Sequence, residues 1–191
     1  MKQYLKDSAR TASDSYHFEV PDTLNTLAMF TNISLASEAC DNLKRSAFYG
    51  LKQDPEEAKA KMQVKMTENQ ARLDKLVATD QEKFSFTDDQ KNIDLLHSLL
   101  GIQSEIGELM DATIDAINEE REVDWVNIGE ELGDILWYVA MGLRAAGTDF
   151  ETVSNANLEK LRKRFPEKFT SEKAANRDLD AERKSLEENL K

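Results

Sequence analysis

Two pairs of acidic residues, each spaced three apart, have the types and spacing to do chemistry: Glu105 and Glu108 in SEIGELMD, and Glu131 and Asp134 in EELGDILWY. Both pairs lie in strongly helical sequence, where residues three apart share one side of the helix. Four carboxylates aimed at one point make a site for a hard divalent cation. Mg²⁺ takes oxygen ligands in octahedral geometry and usually keeps waters, so a donor set without Cys or His suits it better than zinc, with Mn²⁺ as the substitute.

The elements that must position these acids are two amphipathic helices. At about 100° per residue, Leu95, Leu99, Ile102, Ile106, Leu109 and Ile117 form one apolar stripe, with Asp94, His97, Gly101, Glu105 and Glu108 in a narrow strip beside it. The second segment repeats the arrangement, with Ile128, Leu132, Ile135, Leu136, Val139 and Leu143 expected to face inward and Asn127, Glu131, Asp134 and Tyr138 alongside. When two such helices pack, their acidic strips can face each other. Like charges held that near a core repel and call for protons or a counter-charge. One such pair would be an ordinary solvated helix face; two pairs with the same phase relative to an apolar run favour the cation.

A basic constellation follows. Asn157, Lys160 and Arg164 fall within about 60° on the helix ANLEKLRKRFPEKF, while Leu158, Leu161 and Phe165 occupy the adjoining face. An amide, an ammonium and a guanidinium beside an apolar seam can neutralise and orient a polyphosphate. Trp137 and Tyr138 lie on the second acidic helix, where a core or interface role suits Trp137 better than a ligand contact.

Composition frames this reading. The chain has 191 residues with 40% hydrophobic content, few Gly and only three Pro, which is enough for a core and points to an all-α protein. A formal net charge of −12 argues against general affinity for nucleic acid or anionic membrane. The single Cys40 excludes an internal disulfide framework, and no apolar run approaches signal or membrane length. A soluble cytoplasmic protein is the expectation.

Asp54-Pro55 and Asp124 mark helix starts, and Thr87 to Gln90 and Thr148 to Glu151 have capping-box spacing. Helices are expected at about 22–48, 55–80, 88–119, 124–146 and 149–164, with a charged helical tail over 171–191. Residues 1–20 read as extended or irregular, and 50–85 as a charged helical insertion, all within a single domain spanning 1–191. A shift of 67 residues lays Ile33 to Asp41 over Leu100 to Glu108, so that Glu38 and Asp41 repeat the first acid pair; the match is either a chance likeness of amphipathic helices or a repeat, in which case the two acids could be a degenerate second site or extra ligands.

The order Glu105-x-x-Glu108, then Glu131-x-x-Asp134, then Asn157-x-x-Lys160-x-x-x-Arg164 resembles the MazG-like, all-α nucleoside triphosphate pyrophosphohydrolases. The resemblance covers about 94–191, including LLHSLLGIQSEIGEL, EELGDILWY, NLEKLRKRFPEKF and NRDLDAERKSLE. YLKDSART and AFYG are similar to phage-type members; the helix at 24–43 departs, having lost its glycine and second glutamate.

The resemblance implies a helical bundle that hydrolyses a nucleoside triphosphate between the α and β phosphates, releasing the monophosphate and pyrophosphate. Mg²⁺ would be held by Glu105, Glu108, Glu131 and Asp134, with one acid, Glu105 among the candidates, available as a base for water. Lys160 and Arg164 would stabilise the departing pyrophosphate, Asn157 would orient a phosphate or the sugar, and His97 and Tyr138 could contact substrate. The resemblance also implies a homodimer or homotetramer, and the phage-type likeness leans towards deoxynucleoside triphosphates, with diphosphates left open, and control or cleaning of the pool. A di-iron bundle would need Glu-x-x-His pairs, which two His without that spacing do not supply. A non-catalytic nucleotide-binding or helical interaction protein is the alternative.

Overall fold

The computed structural model describes residues 1–12, 20–51, 54–78 and 89–190. In chain order the helices are α1 (Lys2–Ala9), α2 (Val20–Tyr49), α3 (Pro55–Ala78), α4 (Gln90–Asn118), α5 (Trp125–Ala145), α6 (Phe150–Arg164), α7 (Ser171–Ala175) and α8 (Leu179–Asn189). No strand occurs among the described residues, and the fold is all-α as expected.

Aspartates set most of the helix starts. Asp54 Oδ1 accepts from the Glu56 N–H at 2.8 Å, and Asp124 Oδ1 accepts from the N–H groups of Val126 and Asn127. Two caps differ from expectation. Asp89 starts α4 by accepting from the Lys91 N–H, while Thr87 lies outside the described residues. For α6 the cap is Asp149 and not Thr148, with the Thr152 N–H donating to its carboxylate at 2.8 Å. That bond to Thr152 holds the Asp149 carboxyl below its usual range. A full negative charge at a helix N-terminus is favoured by the helix dipole, which a Thr hydroxyl exploits less well.

The N-terminal expectation is corrected: residues 2–9 are helical, not extended, and 13–19 lie outside the described residues. Eight residues are too few to hold a helix alone. Its stability comes from α5. Arg144 Nη1 donates to Ser8 Oγ at 2.7 Å, Tyr4 OH to the Gly133 carbonyl at 3.3 Å, and Trp137 Nε1 to Thr11 Oγ1 at 2.7 Å. Trp137 is therefore an anchor for the N-terminal segment. The tail after 171 is two helices: α7 ends at Ala175, and Asp178 caps α8 by accepting from the Ala181 N–H.

Contacts within the chain divide it into two compact units, residues 1–16, 85–158 and 186–191 in the first, and 17–84 and 159–185 in the second. The first unit is built on an antiparallel hairpin of α4 and α5, in which Ser98 Oγ donates to the Tyr138 carbonyl at 2.8 Å. Small residues allow this approach. A Cβ on Gly101 would lie 2.1 Å from the Tyr138 ring, and one on Gly142 2.7 Å from Ser98 Oγ. Because this face makes the contact, Leu96, Ser98, Gly101 and Ala116 of α4, and Glu131, Ala140 and Met141 of α5, are the buried residues.

The apolar stripes were expected to face inward, and at several positions they do not. Leu95, Leu99 and Ile117 on α4 and Leu132 and Leu136 on α5 are all exposed, Ile117 by 70%. The hairpin closes through Leu96, Met141 and its small and acidic residues, which leaves these five apolar side chains exposed among the described residues.

In the second unit α3, from the segment read as a charged insertion, packs on α2, and the buried Asn69 donates its amide to the Thr31 carbonyl at 3.1 Å. Tyr49, Phe165 and Phe169 form a ring cluster with centroids 5.1 and 5.3 Å from that of Phe169. Among the described residues no helix is long and apolar enough to cross a membrane.

Candidate metal centre

The α4–α5 crossing at Gly101 and Tyr138 sets the register of the two acidic strips. One turn further along, Glu105 of α4 meets Glu131 and Asp134 of α5, and one carboxylate oxygen from each lies within 4.8 Å of the others. Glu131 is buried, Glu105 half-buried and Asp134 exposed, so the cluster runs from the helix interface out to solvent. Oxygens around one Mg²⁺ stand about 3 Å apart in neighbouring positions and about 4 Å apart in opposite ones, given metal–oxygen distances near 2.1 Å. Small side-chain rotations bridge that difference. The donor set is carboxylate oxygen alone, which fits Mg²⁺ or Mn²⁺ and leaves positions for water or phosphate.

Glu108 is exposed and outside this three-oxygen group. Its charge still reaches Tyr138, whose hydroxyl is pushed above its usual range first by burial and then by Glu105, Asp134 and Glu108. His97 is half-buried, with its ring edge against Tyr138 at 5.8 Å and Trp137 at 6.3 Å. Two neighbours touch the clustered glutamates. Asn127 Nδ2 donates to Glu131 Oε1 at 2.7 Å, and Ser104 Oγ lies 3.2 Å from Glu105 Oε1. The Asn127 contact was legible from i, i+4 spacing on a helix, whereas its importance depends on the burial of Glu131.

Asn157 belongs to the first unit and is exposed; Lys160 and Arg164 belong to the second and are half-buried. Arg164 is already engaged. Its Nε donates to Glu182 Oε1 at 2.7 Å and its Nη2 to Oε2, while Arg177 Nη2 also donates to Oε2 at 2.7 Å. Hydrogen bonds from Arg164 and then Arg177 hold the Glu182 carboxyl at about 2, below its ordinary 4.5. Arg164 also lines a cavity of about 250 Å³ together with Lys163, Lys173 and Asn176. Glu38 and Asp41 sit on α2, where Asp41 pairs with Lys44, and neither joins a group of three metal-ligating residues among the described residues.

No curated protein and no solved structure gives a match to the chain. The acidic strip of α4, the whole of α5 and α6, and the turn that follows are nonetheless matched together by one family model. Residues 94–169 contain a MazG nucleotide pyrophosphohydrolase domain, which supports a pyrophosphohydrolase-type activity.

Proposed function

We propose that the protein hydrolyses nucleoside triphosphates, deoxynucleotides among them, to the monophosphate and pyrophosphate with Mg²⁺, adjusting or cleaning a cytoplasmic nucleotide pool. The observation that carries this reading is the meeting of Glu105, Glu131 and Asp134 from two helices within the segment matched as MazG. Those three residues would hold the cation. When bound, Mg²⁺ supplies charge neutralisation at the phosphates and a more acidic water for in-line attack.

The remaining roles fall to side chains of the chain itself. Glu108, one turn along α4 and outside the three-oxygen group, is the acid left to accept a proton from the attacking water. Lys160 and Asn157 are assigned to the phosphates and sugar by type and spacing. Arg164 commits two donors to Glu182, and a guanidinium has five, so the other three remain for a phosphate oxygen. Tyr138 and His97, packed edge to face, offer an aromatic surface to the base.

The exposed stripe of Leu95, Leu99 and Ile117 on α4 with Leu132 and Leu136 on α5 supports association of two or more copies. A homodimer or homotetramer burying it is the expected assembly. Leu99→Glu combined with Leu132→Glu is expected to give a monomer mass in light scattering where the parent chain gives a multiple. An unchanged mass in the double variant would move the interface elsewhere.

Activity is tested by incubating NTPs and dNTPs with Mg²⁺ or Mn²⁺ and resolving the products by chromatography. Metal-dependent monophosphate plus pyrophosphate from one or a few substrates is the expected result. Release of diphosphate and phosphate would refute the position of cleavage, and binding without turnover would make the protein a nucleotide-binding module.

A further inference from the structure

We infer that Asn127 is a positioning residue for the acidic site, holding Glu131 so that one of its oxygens is directed at the point shared with Glu105 and Asp134. The inference rests on the metal-binding reading above and adds the group that fixes its most buried ligand.

Glu131 is only 7% exposed, so water does little to orient its carboxylate. The residues gathered at its outer end are acids, which repel it. Against that, Asn127 Nδ2 donates to Glu131 Oε1 at 2.7 Å, a short bond to an anionic acceptor. The orientation of the amide follows from chemistry: turned the other way, its carbonyl oxygen would face a carboxylate oxygen with no proton between them. With Oε1 engaged by this bond the carboxylate plane is fixed, and Oε2 keeps both of its lone pairs for a cation.

Asn127 is itself placed by the helix start. Its backbone N–H donates to the Asp124 cap at 3.2 Å, which makes it the third residue of α5. Side chains at that position commonly reach back to the cap's own N–H. Here the side chain reaches forward one turn instead, linking the cap to the buried glutamate. Its neutrality matters as well. A lysine or arginine there would supply the counter-charge itself and compete with the cation, whereas an amide orients the carboxylate without cancelling its charge.

The Ser104 contact to Glu105 does not carry the same weight. Its single hydroxyl proton is shared between the Gly101 carbonyl at 2.9 Å and Glu105 Oε1 at 3.2 Å, and the residue is exposed. Asn127 holds the buried ligand; Ser104 touches the half-buried one.

The test is titration of the full-length, metal-free protein with Mn²⁺ alone, followed by calorimetry, with helicity and thermal unfolding measured on the same samples. The wild type is expected to bind and Glu131→Gln to lose that binding. Asn127→Leu, close to isosteric but without a donor, is expected to weaken Mn²⁺ binding about 10- to 100-fold with helicity kept. Asn127→Gln, which restores an amide with a longer reach, is expected to recover most of the loss, and Asn127→Ala serves where the leucine variant loses helicity. Mn²⁺ affinity within twofold of wild type in a donorless variant, with Glu131→Gln still defective, would overturn the inference while leaving the metal reading intact. A fall in thermal stability without a fall in affinity would have the same meaning. Equal Mn²⁺ binding by wild type and Glu131→Gln would overturn the metal reading itself, and the inference with it.

Discussion

Glu131→Gln is expected to lower pyrophosphohydrolase turnover by about 10³-fold or more while helicity and thermal stability of the metal-free protein are retained. The amide keeps the shape of the side chain and an oxygen for Asn127 to donate to, but it removes the charge from the buried member of the three-oxygen group. A bound cation contributes several kcal/mol of transition-state stabilisation, and each 1.36 kcal/mol is a factor of ten in rate. Stability should not suffer, because the change removes one of three like charges that face each other in the metal-free state. Glu105→Gln and Asp134→Asn are expected to follow the same pattern. Glu108→Gln separates the roles: on the proposed assignment of Glu108 as proton acceptor, it should slow turnover while Mn²⁺ affinity stays near wild type, and a loss of Mn²⁺ affinity would make Glu108 a fourth ligand. Near wild-type turnover in Glu131→Gln would sink the assignment of this cluster as the metal centre.

Glu182→Gln addresses a different part of the chain, the clasp joining the end of α6 to α8 in the second unit. Glu182 is buried and receives hydrogen bonds from Arg164 and Arg177, and its carboxyl is held at about 2 in the folded protein against an ordinary 4.5. A folded-state value below the unfolded one means that the unfolded chain binds more protons as pH falls. The stabilisation is therefore complete above about pH 4.5 and is lost as pH drops from there towards 2. The shift corresponds to at most about 3 kcal/mol at neutral pH. The glutamine variant also leaves two guanidiniums beside a neutral group, one of them largely buried. Urea denaturation should show it less stable than wild type at pH 7 by about 2–3 kcal/mol, with the difference shrinking at acid pH. Identical pH dependence of the two proteins would mean that the clasp contributes nothing to folding.

The value of that clasp bears on Arg164. Spacing alone groups it with Asn157 and Lys160 as a phosphate-binding set, but spacing could not reveal a carboxylate 18 residues later in the chain occupying its guanidinium. Local pattern records which residues share a helix face. It does not record what packs against that face.

The same distinction runs through the whole protein. The helical character of the chain, the positions of its longer helices, the aspartate caps at Asp54 and Asp124, and the two acidic strips all follow from residue type and a period of 3.6, because they depend on neighbours within a turn or two. The short α1 did not follow, since its stability comes from Arg144, Trp137 and Gly133 more than a hundred residues away. Nor did the direction of the apolar stripes. Amphipathic periodicity marks which residues of α4 and α5 share a face, but Gly101 and Gly142 let the backbones approach on the neighbouring side, and that approach turns Leu99 and Leu132 outward. It also decides among the acids. Glu105 and Glu108 are equivalent by spacing, about 60° apart on one helix, and only the crossing of α4 with α5 selects Glu105 to join Glu131 and Asp134. Sequence by itself determined the longer helices and which acids share a helix face; the tertiary structure decided which carboxylates meet, because a helix fixes angles within itself and only packing fixes the angle to its neighbour.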